Sequence, residues 1–204
     1  MSVRTQTGPG VLRHVLIRGI EMKQALIIVD IQNDYFPGGK MELVDMEAAA
    51  QKAQGVLELF RNKNMPIFHI QHVSNRPGAT FFLPETDGAE IHESVTPKSG
   101  EPVIDKHFPN CFAATSLQDQ LSDLGVEEII FCGAMSHMCI DTTVRAAFDL
   151  GFHCIVVSDA CATRNLEFGG ITIEASQVHA AFMAALSAPF AQVIEAKKLE
   201  SLIV

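Results

Sequence analysis

Residues 128–151 read EIIFCGAMSHMCIDTTVRAAFDLG. The run Ile129 to Cys132 is apolar and of strand length. Gly133 breaks it, a short turn follows, and from Cys139 the spacing becomes helical until Gly151 stops it. The next segment, HCIVVS at 153–158, is again apolar and strand-like. Two strands joined through a helix are expected to lie parallel, because a parallel pair needs a long crossover.

The same alternation extends in both directions. Upstream, ALIIV at 25–29 is a continuous apolar run that ends on Asp30, as suits a strand buried on both faces. Ala49, Ala53, Val56, Leu57 and Phe60 repeat at helical spacing within 46–63, and PIFHIQ at 66–71 follows as a second strand. Residues 73–101 have no clear period and are rich in Pro, Gly, Ser and Thr; a loop that long is usually functional. A short strand at 102–105 leads into Lys106, and a helix that Thr115 can cap runs to Leu124. Downstream, a helix over 172–187 and a short strand at 191–194 complete the pattern. The fold class is therefore α/β: a doubly wound, mostly parallel six-stranded sheet with helices on both faces, a Rossmann-like three-layer arrangement. No G-x-G-x-x-G follows the first strand, so a dinucleotide site is not expected.

The chain has 204 residues, 48% hydrophobic and 19% charged, enough for one domain with a sizeable core. Residues 22–204 are assigned to that domain. Residues 1–21 are basic and aperiodic, and charge breaks their apolar stretch, so they do not read as a secretory signal. They are read as an N-terminal extension outside the fold, from a mis-assigned start, an added segment or a transit peptide. A formal net charge of −9 with no basic cluster disfavours nucleic acid, and no apolar run spans a bilayer. The five cysteines contain no C-x-x-C pair. Reduced thiols and a cytoplasmic location are expected.

Ligands of such sheets bind beyond the carboxyl ends of the strands. Asp30, Lys106 and the turn leading to Cys139 all fall there. A thiol at a helix start is expected to favour thiolate. Taken singly, each has a plain alternative: a buried small hydrophobe for Cys139, a loop-capping carboxylate for Asp30, a solvated strand-end lysine for Lys106. A phosphatase-like nucleophile is a further reading of Asp30, although Gln32 stands where a second acid is wanted for magnesium; Asp34 is nearby.

The surrounding words are more specific. LIIVDIQNDY at 26–35, VIDKHFPNCF at 103–112, GAMSHMCIDTTVRAAFDLGF at 133–152 and SDACAT at 158–163 resemble the isochorismatase-like cysteine hydrolases, in the same order and over about residues 22–200. The resemblance implies an Asp30, Lys106, Cys139 triad and a non-proline cis peptide between Ala134 and Met135. It also implies an oxyanion hole from the N–H groups of Met135 and Cys139. The implied activity is hydrolysis of a C–N bond (amide, lactam or carbamoyl) in a small molecule through a thioester. A homodimer or homotetramer is implied too, with the apolar helix at 172–187 as a possible surface.

Departures from the family pattern narrow this reading. Nicotinamidases of the family hold a metal through a D-x-H pair and another histidine. Here the words are Ile70, Gln71, His72, so no metal and no cofactor are expected. His69 and His72 lie on opposite faces of a strand, and His92 in the loop is the remaining candidate ligand. A metal-assisted nicotinamidase-like amidase and a non-catalytic binding paralogue remain the alternatives. The stretch after Lys106, HFPNCFAAT, holds no arginine, so a carboxylate-bearing substrate is not expected, although Arg76 in the loop is available. Tyr35, Phe36, His72, Phe82, His107, Phe108 and Met138 are the candidate substrate-binding residues. Phe81, Phe82 and Leu83 suit the capping of a neighbouring subunit's site, and His137, His153 and His179 are read as structural.

A chain starting at Met22 is expected to express as soluble protein with undiminished activity; loss of soluble protein on that truncation would overturn the boundary.

Overall fold

The computed structural model describes residues 22–203, so the reading of residues 1–21 lies outside the described part. In chain order the elements are β1 (Gln24–Val29), α1 (Met46–Asn62), β2 (Ile67–His72), β3 (Val103–Lys106), α2 (Leu117–Asp123), β4 (Glu128–Ala134), α3 (Asp141–Asp149), β5 (His153–Ala162), β6 (Leu166–Phe168), β7 (Ile171–Ile173), α4 (Ala175–Leu186), β8 (Gln192–Ile194) and α5 (Ala196–Leu199). Six strands form one sheet in the order β3-β2-β1-β4-β5-β8, all pairs parallel. The expected doubly wound α/β class is what is found.

Period-two alternation divides the core between the sheet's two faces. Leu26, Ile28, Ile130, Cys132, Ile155 and Val157 turn to the side of α1, with Ala53, Leu57 and Phe60. Ala25, Ile27, Val29, Ile129, Phe131 and Val156 turn to the other side, against Leu117 and Leu121 of α2, Val144 of α3 and Leu186 of α4. Each residue of β1 is buried, as a strand covered on both faces requires.

Three stretches differ from the sequence expectation. β5 does not stop at Ser158. It passes an irregularity in its pairing with β4 and continues to Ala162, which pairs with Ala134. The polar Ser158 and Asp159 look like a strand end but are bonded: Ser158 Oγ donates to Ile194 O and Asp159 Oδ1 accepts from Ala196 N. The helix begins at Ala175, not at residue 172. The residues before it form a two-stranded hairpin, β6–β7, turning through Gly169 and Gly170, both at positive φ. Asn165 Oδ1 accepts from Ala175 N and caps the helix start. Lastly, Cys139 lies in a wide helical turn, Ser136–Ile140, that precedes α3, rather than in α3 itself.

The long loop packs on its own chain. Phe82 is buried against Tyr35, with ring centroids 4.6 Å apart, and Phe82 N donates to Asp34 Oδ2 at 2.6 Å. Phe82 is thus core, which corrects its expected role as a cap on a neighbouring subunit. The loop's far end is clamped by Glu101. Its oxygens accept from Arg61 of α1 at 2.7 and 2.8 Å, from the Lys98 amide at 2.9 Å, and face His69 Nε2 at 2.9 Å. Burial opposes the charge on Glu101, but the bonds from Arg61, Lys98 and His69 outweigh it and hold the carboxyl down at about 2.

Glu101→Ala takes the carboxylate from His69 and from one edge of the Arg61 guanidinium, which keeps Glu58 and the Thr96 carbonyl. It is expected to cost roughly 2 kcal/mol of stability, read by denaturant unfolding at neutral pH. The sign with pH also follows. A depressed carboxyl contributes stability that is present above its ordinary value of 4.5 and is lost as pH falls toward about 2. The difference between the parent chain and Glu101→Ala should therefore shrink steadily below pH 4.5. An unchanged difference at pH 3 would contradict this account.

Candidate active site

The strand order reverses at β1, between β2 and β4, and Asp30 follows β1 directly. Its φ of 50° is left-handed, a conformation aspartate tolerates better than most residues. It turns the chain out of the sheet while Asp30 N still donates to Ile70 O. Lys106 ends β3 and pairs in register with His72 at the end of β2, so the two side chains are neighbours on one face. Cys139 arrives from the turn after β4. Gly133, at φ 119°, makes that exit possible, since a methyl there would drive into the Val29 carbonyl. The Ala134–Met135 peptide is cis, as the resemblance implied. Ser136 Oγ donates to Ala162 O and bonds His179 Nδ1, and His137 Nδ1 bonds Thr163 Oγ1. These contacts fasten the turn to β5 and give His137 and His179 structural partners.

Asp30, Lys106 and Cys139, from three separate elements, converge. Lys106 Nζ is 2.8 Å from Asp30 Oδ2, 3.2 Å from Cys139 Sγ, 3.0 Å from His72 Nδ1 and 3.2 Å from Phe108 O. Both charged side chains have no solvent exposure. Neither Asp30 oxygen accepts an oriented hydrogen bond among the described residues, so the carboxylate is held by charge and has room for a proton. Ligand atoms of Asp30, His72 and Cys139 lie within 4.8 Å of one another.

Burial works against the Lys106 ammonium, but the charges of Asp30 and Cys139 outweigh it and raise its pKa. Cys139 behaves differently from the sequence expectation of a thiolate. Burial and the neighbouring Asp30 charge push its thiol well up, and Lys106 only partly offsets them. The resting group is the neutral thiol. His72 is pushed down to about 4 by burial and by the Lys106 charge, so the ring is neutral and Nδ1 accepts from the ammonium.

The other sequence candidates are placed unevenly. Tyr35 is buried beside Phe82. His107 is exposed and its Nδ1 bonds Val73 O, whereas Phe108 and Met138 are exposed large apolar groups near the centre. Phe36 stacks on His92 at 3.5 Å between centroids, along a separate groove that holds Asp34 and Lys40 and none of Asp30, Lys106 or Cys139. Two contributors went unread in the sequence. Gln32 is fully buried and clamps both His72 N and His72 O, and donates to Ala89 O, so it sets the imidazole in place. Thr143 ties α3 to the loop after Lys106 by accepting from Cys111 N. Nothing in their spacing marks them, because each acts on backbone groups distant in sequence.

A metal of the nicotinamidase kind does not fit these residues. Ile70 is buried apolar core, His72 Nδ1 is taken by Lys106, and His92 Nδ1 bonds Ser94. Between Asp30, His72 and Cys139 the cation is the lysine itself, and a divalent ion there would press on an ammonium.

The isochorismatase domain model matches residues 24–198. The chain belongs to the isochorismatase family. It is 52% identical to the uncharacterized isochorismatase family protein YddQ of Bacillus subtilis, over 84% of this chain and 96% of that protein. The crystal structure of an isochorismatase hydrolase from Oleispira antarctica superposes with a TM-score of 0.85 at 47% identity, covering 90% of this chain and 98% of that one. Maleamate amidohydrolase of Pseudomonas putida is more distant, at 27% identity over 72% of this chain and 76% of that enzyme. This family member also shares with its relatives the architecture that carries the site: the six-stranded parallel sheet flanked by helices.

Replacing Lys106 by Met removes the charge that favours ionisation of Cys139. Alkylation of Cys139 by iodoacetamide at pH 8, followed by peptide mass mapping, should slow by about tenfold or more, the equivalent of one pKa unit. An unchanged rate would mean that the ammonium does not act on the thiol.

Proposed function

We propose that the chain is a cysteine amidohydrolase that cleaves a C–N bond of a small molecule through a thioester. One observation carries the reading: a buried thiol, a carboxylate with an open oxygen and a buried ammonium meet at one point. Named relatives support the bond class: maleamate amidohydrolase, nicotinamidase 3 of Arabidopsis thaliana and streptothricin hydrolase of Streptomyces noursei.

In the proposed reaction Asp30 takes the Cys139 proton as the sulfur attacks the substrate carbonyl carbon. A C–S bond forms and the carbonyl electron pair moves to oxygen. The N–H groups of Met135 and Cys139 are the proposed donors to that oxyanion. Among the described residues neither donates to a group outside their own turn. Asp30 passes its proton to the leaving nitrogen, the C–N bond breaks, and ammonia or an amine departs. Water then attacks the thioester with Asp30 again as base, and Cys139 recovers its proton. Lys106 stays charged throughout and holds whichever of Asp30 and Cys139 is negative. Phe108, Met138, Tyr35 and His72 are proposed to shape the pocket around the carbonyl.

The test is ammonia release across a panel of small amides, lactams and carbamoyl compounds. Turnover that disappears in Cys139→Ala and survives exhaustive chelation is the expected result. A panel without turnover, or activity retained by Cys139→Ala, would reject the reading. Activity lost on chelation and restored by zinc, iron or manganese would instead favour a metal-assisted amidase.

A further inference from the structure

The Lys106 ammonium has three protons to give, and the structure allots each of them. Nζ donates to His72 Nδ1 at 3.0 Å, to the Phe108 carbonyl at 3.2 Å and to Cys139 Sγ at 3.2 Å. Asp30 Oδ2 is nearer, at 2.8 Å, yet neither Asp30 oxygen accepts a directed bond from any described residue. The closest neighbour, and the charged one, is therefore the one at which no proton is aimed.

An ammonium free to turn would not choose this arrangement. A hydrogen bond to a carboxylate is shorter and roughly twice as strong as one to a neutral acceptor. The two neutral acceptors that draw protons away must be held firmly. Phe108 O belongs to the backbone. His72 is a side chain, and it is secured from several directions. It pairs in register with Lys106, and the next amide, Val73 N, donates to Lys106 O at 2.9 Å. Gln32, which has no solvent exposure, bonds both His72 N and His72 O. The ring itself is buried, with its centroid 5.9 Å from that of Phe82. Because Nδ1 faces an ammonium it bears no proton, and the hydrogen of the neutral ring is on Nε2.

The allotment matters for the base. A hydrogen bond to a carboxylate favours its charged form and makes it a poorer acceptor of a proton. Attraction to the ammonium already acts on Asp30, and a directed N–H bond would add to it. Asp30 is the group that has to take the Cys139 proton, so such a bond would oppose the first step.

We infer that His72 is a positioning residue: by accepting one Lys106 proton it keeps that proton off Asp30, which leaves the carboxylate free to deprotonate Cys139. The inference deepens the amidohydrolase reading and rests on it where turnover is concerned. The effect on the thiol itself needs no substrate.

The experiment follows alkylation of Cys139 by iodoacetamide, with peptide mass mapping, on the full chain, His72→Leu and His72→Asn. Leu fills space and accepts nothing. The Asn side-chain oxygen stands as many bonds from the backbone as Nδ1 does and can accept from Nζ. At pH 7 the thiol depends on Asp30, and His72→Leu should be slower by about tenfold, the equivalent of one pKa unit of lost basicity. At pH 10 hydroxide takes the proton instead, and the difference should shrink to less than about threefold. His72→Asn should recover most of the loss at pH 7. An unchanged rate in His72→Leu, equal losses in the two variants, or a loss as large at pH 10 as at pH 7 would overturn the inference. Should His72→Leu fail to fold, the parent chain decides, with its histidines labelled with 15N and the His72 signal assigned by its absence from His72→Asn. A ring protonated on Nε2 alone between pH 6 and pH 8 is expected, and a ring protonated on Nδ1 overturns the inference. On any amide that is turned over, His72→Leu should lower kcat and leave KM within about twofold. Turnover with kcat unchanged in that variant defeats the inference and leaves the amidohydrolase reading standing. The expected alkylation pattern without turnover of any amide defeats that reading and leaves the inference standing.

Discussion

An ammonium with no solvent exposure, Lys106 Nζ, is the constraint around which the rest of this molecule is arranged. Taking a lysine out of water is costly unless charge and hydrogen bonds replace its hydration. Four groups do so here: the Asp30 carboxylate, His72 Nδ1, the Phe108 carbonyl and the Cys139 sulfur, all within 3.2 Å. Each must be delivered from a different part of the chain. Removing any one leaves a buried charge undersatisfied, so the geometry of the centre and the stability of its surroundings are the same problem.

Delivery depends on the parallel sheet. In such a sheet all strands end on one edge, and the reversal of order at β1 opens a gap where neighbouring loops diverge. Asp30 enters from the middle of the sheet, Cys139 from the adjacent strand, and Lys106 from the edge strand β3. That last placement is the weakest by topology, because β3 has four residues and pairs on one side only. The clamp of Glu101 on Arg61 and His69 compensates. It fixes the chain just before β3 to α1 and β2, and so sets the register that puts Lys106 beside His72. Gln32 does the equivalent for His72 by binding both polar groups of its backbone.

The sequence displayed this sheet clearly where burial is two-sided. β1, β4 and the first half of β5 are unbroken apolar runs, and α1 shows its buried face as a regular repeat. It concealed elements whose stability is tertiary. The second half of β5 hides behind Ser158 and Asp159, whose polarity is satisfied by β8 and α5. The β6–β7 hairpin is too short to show a period. Phe82 looked available for another subunit because its loop has no pattern, yet Asp34 and Tyr35 draw it into the core. At the site, Asp30, Lys106 and Cys139 were readable because each closes or follows an apolar strand and because the words around them resemble a family. Singly, each had a structural alternative at least as strong, and stronger for Cys139 and Lys106. The ionisation of Cys139 was not readable at all. A thiol near a helix start suggests thiolate, but full burial next to a carboxylate decides otherwise, and burial is not written locally.

A resting thiol beside a carboxylate and an ammonium has a consequence for the proposed chemistry. Before proton transfer the centre holds Asp30 negative, Lys106 positive and Cys139 neutral. After it, Asp30 is neutral, Lys106 positive and Cys139 negative. The total charge is the same, and the negative charge has only moved from one neighbour of the ammonium to another. The burial cost of the ions is therefore nearly common to both states and largely cancels in the step. What remains is the difference between an oxygen at 2.8 Å and a sulfur at 3.2 Å from the same Nζ. A buried site can thus keep its nucleophile mostly protonated and slow toward water-borne electrophiles, yet release it at modest cost once a carbonyl lies against the sulfur. That arrangement needs the ammonium to touch both groups at once, which is the geometry the edge strand, its clamp and the Gly133 turn together maintain.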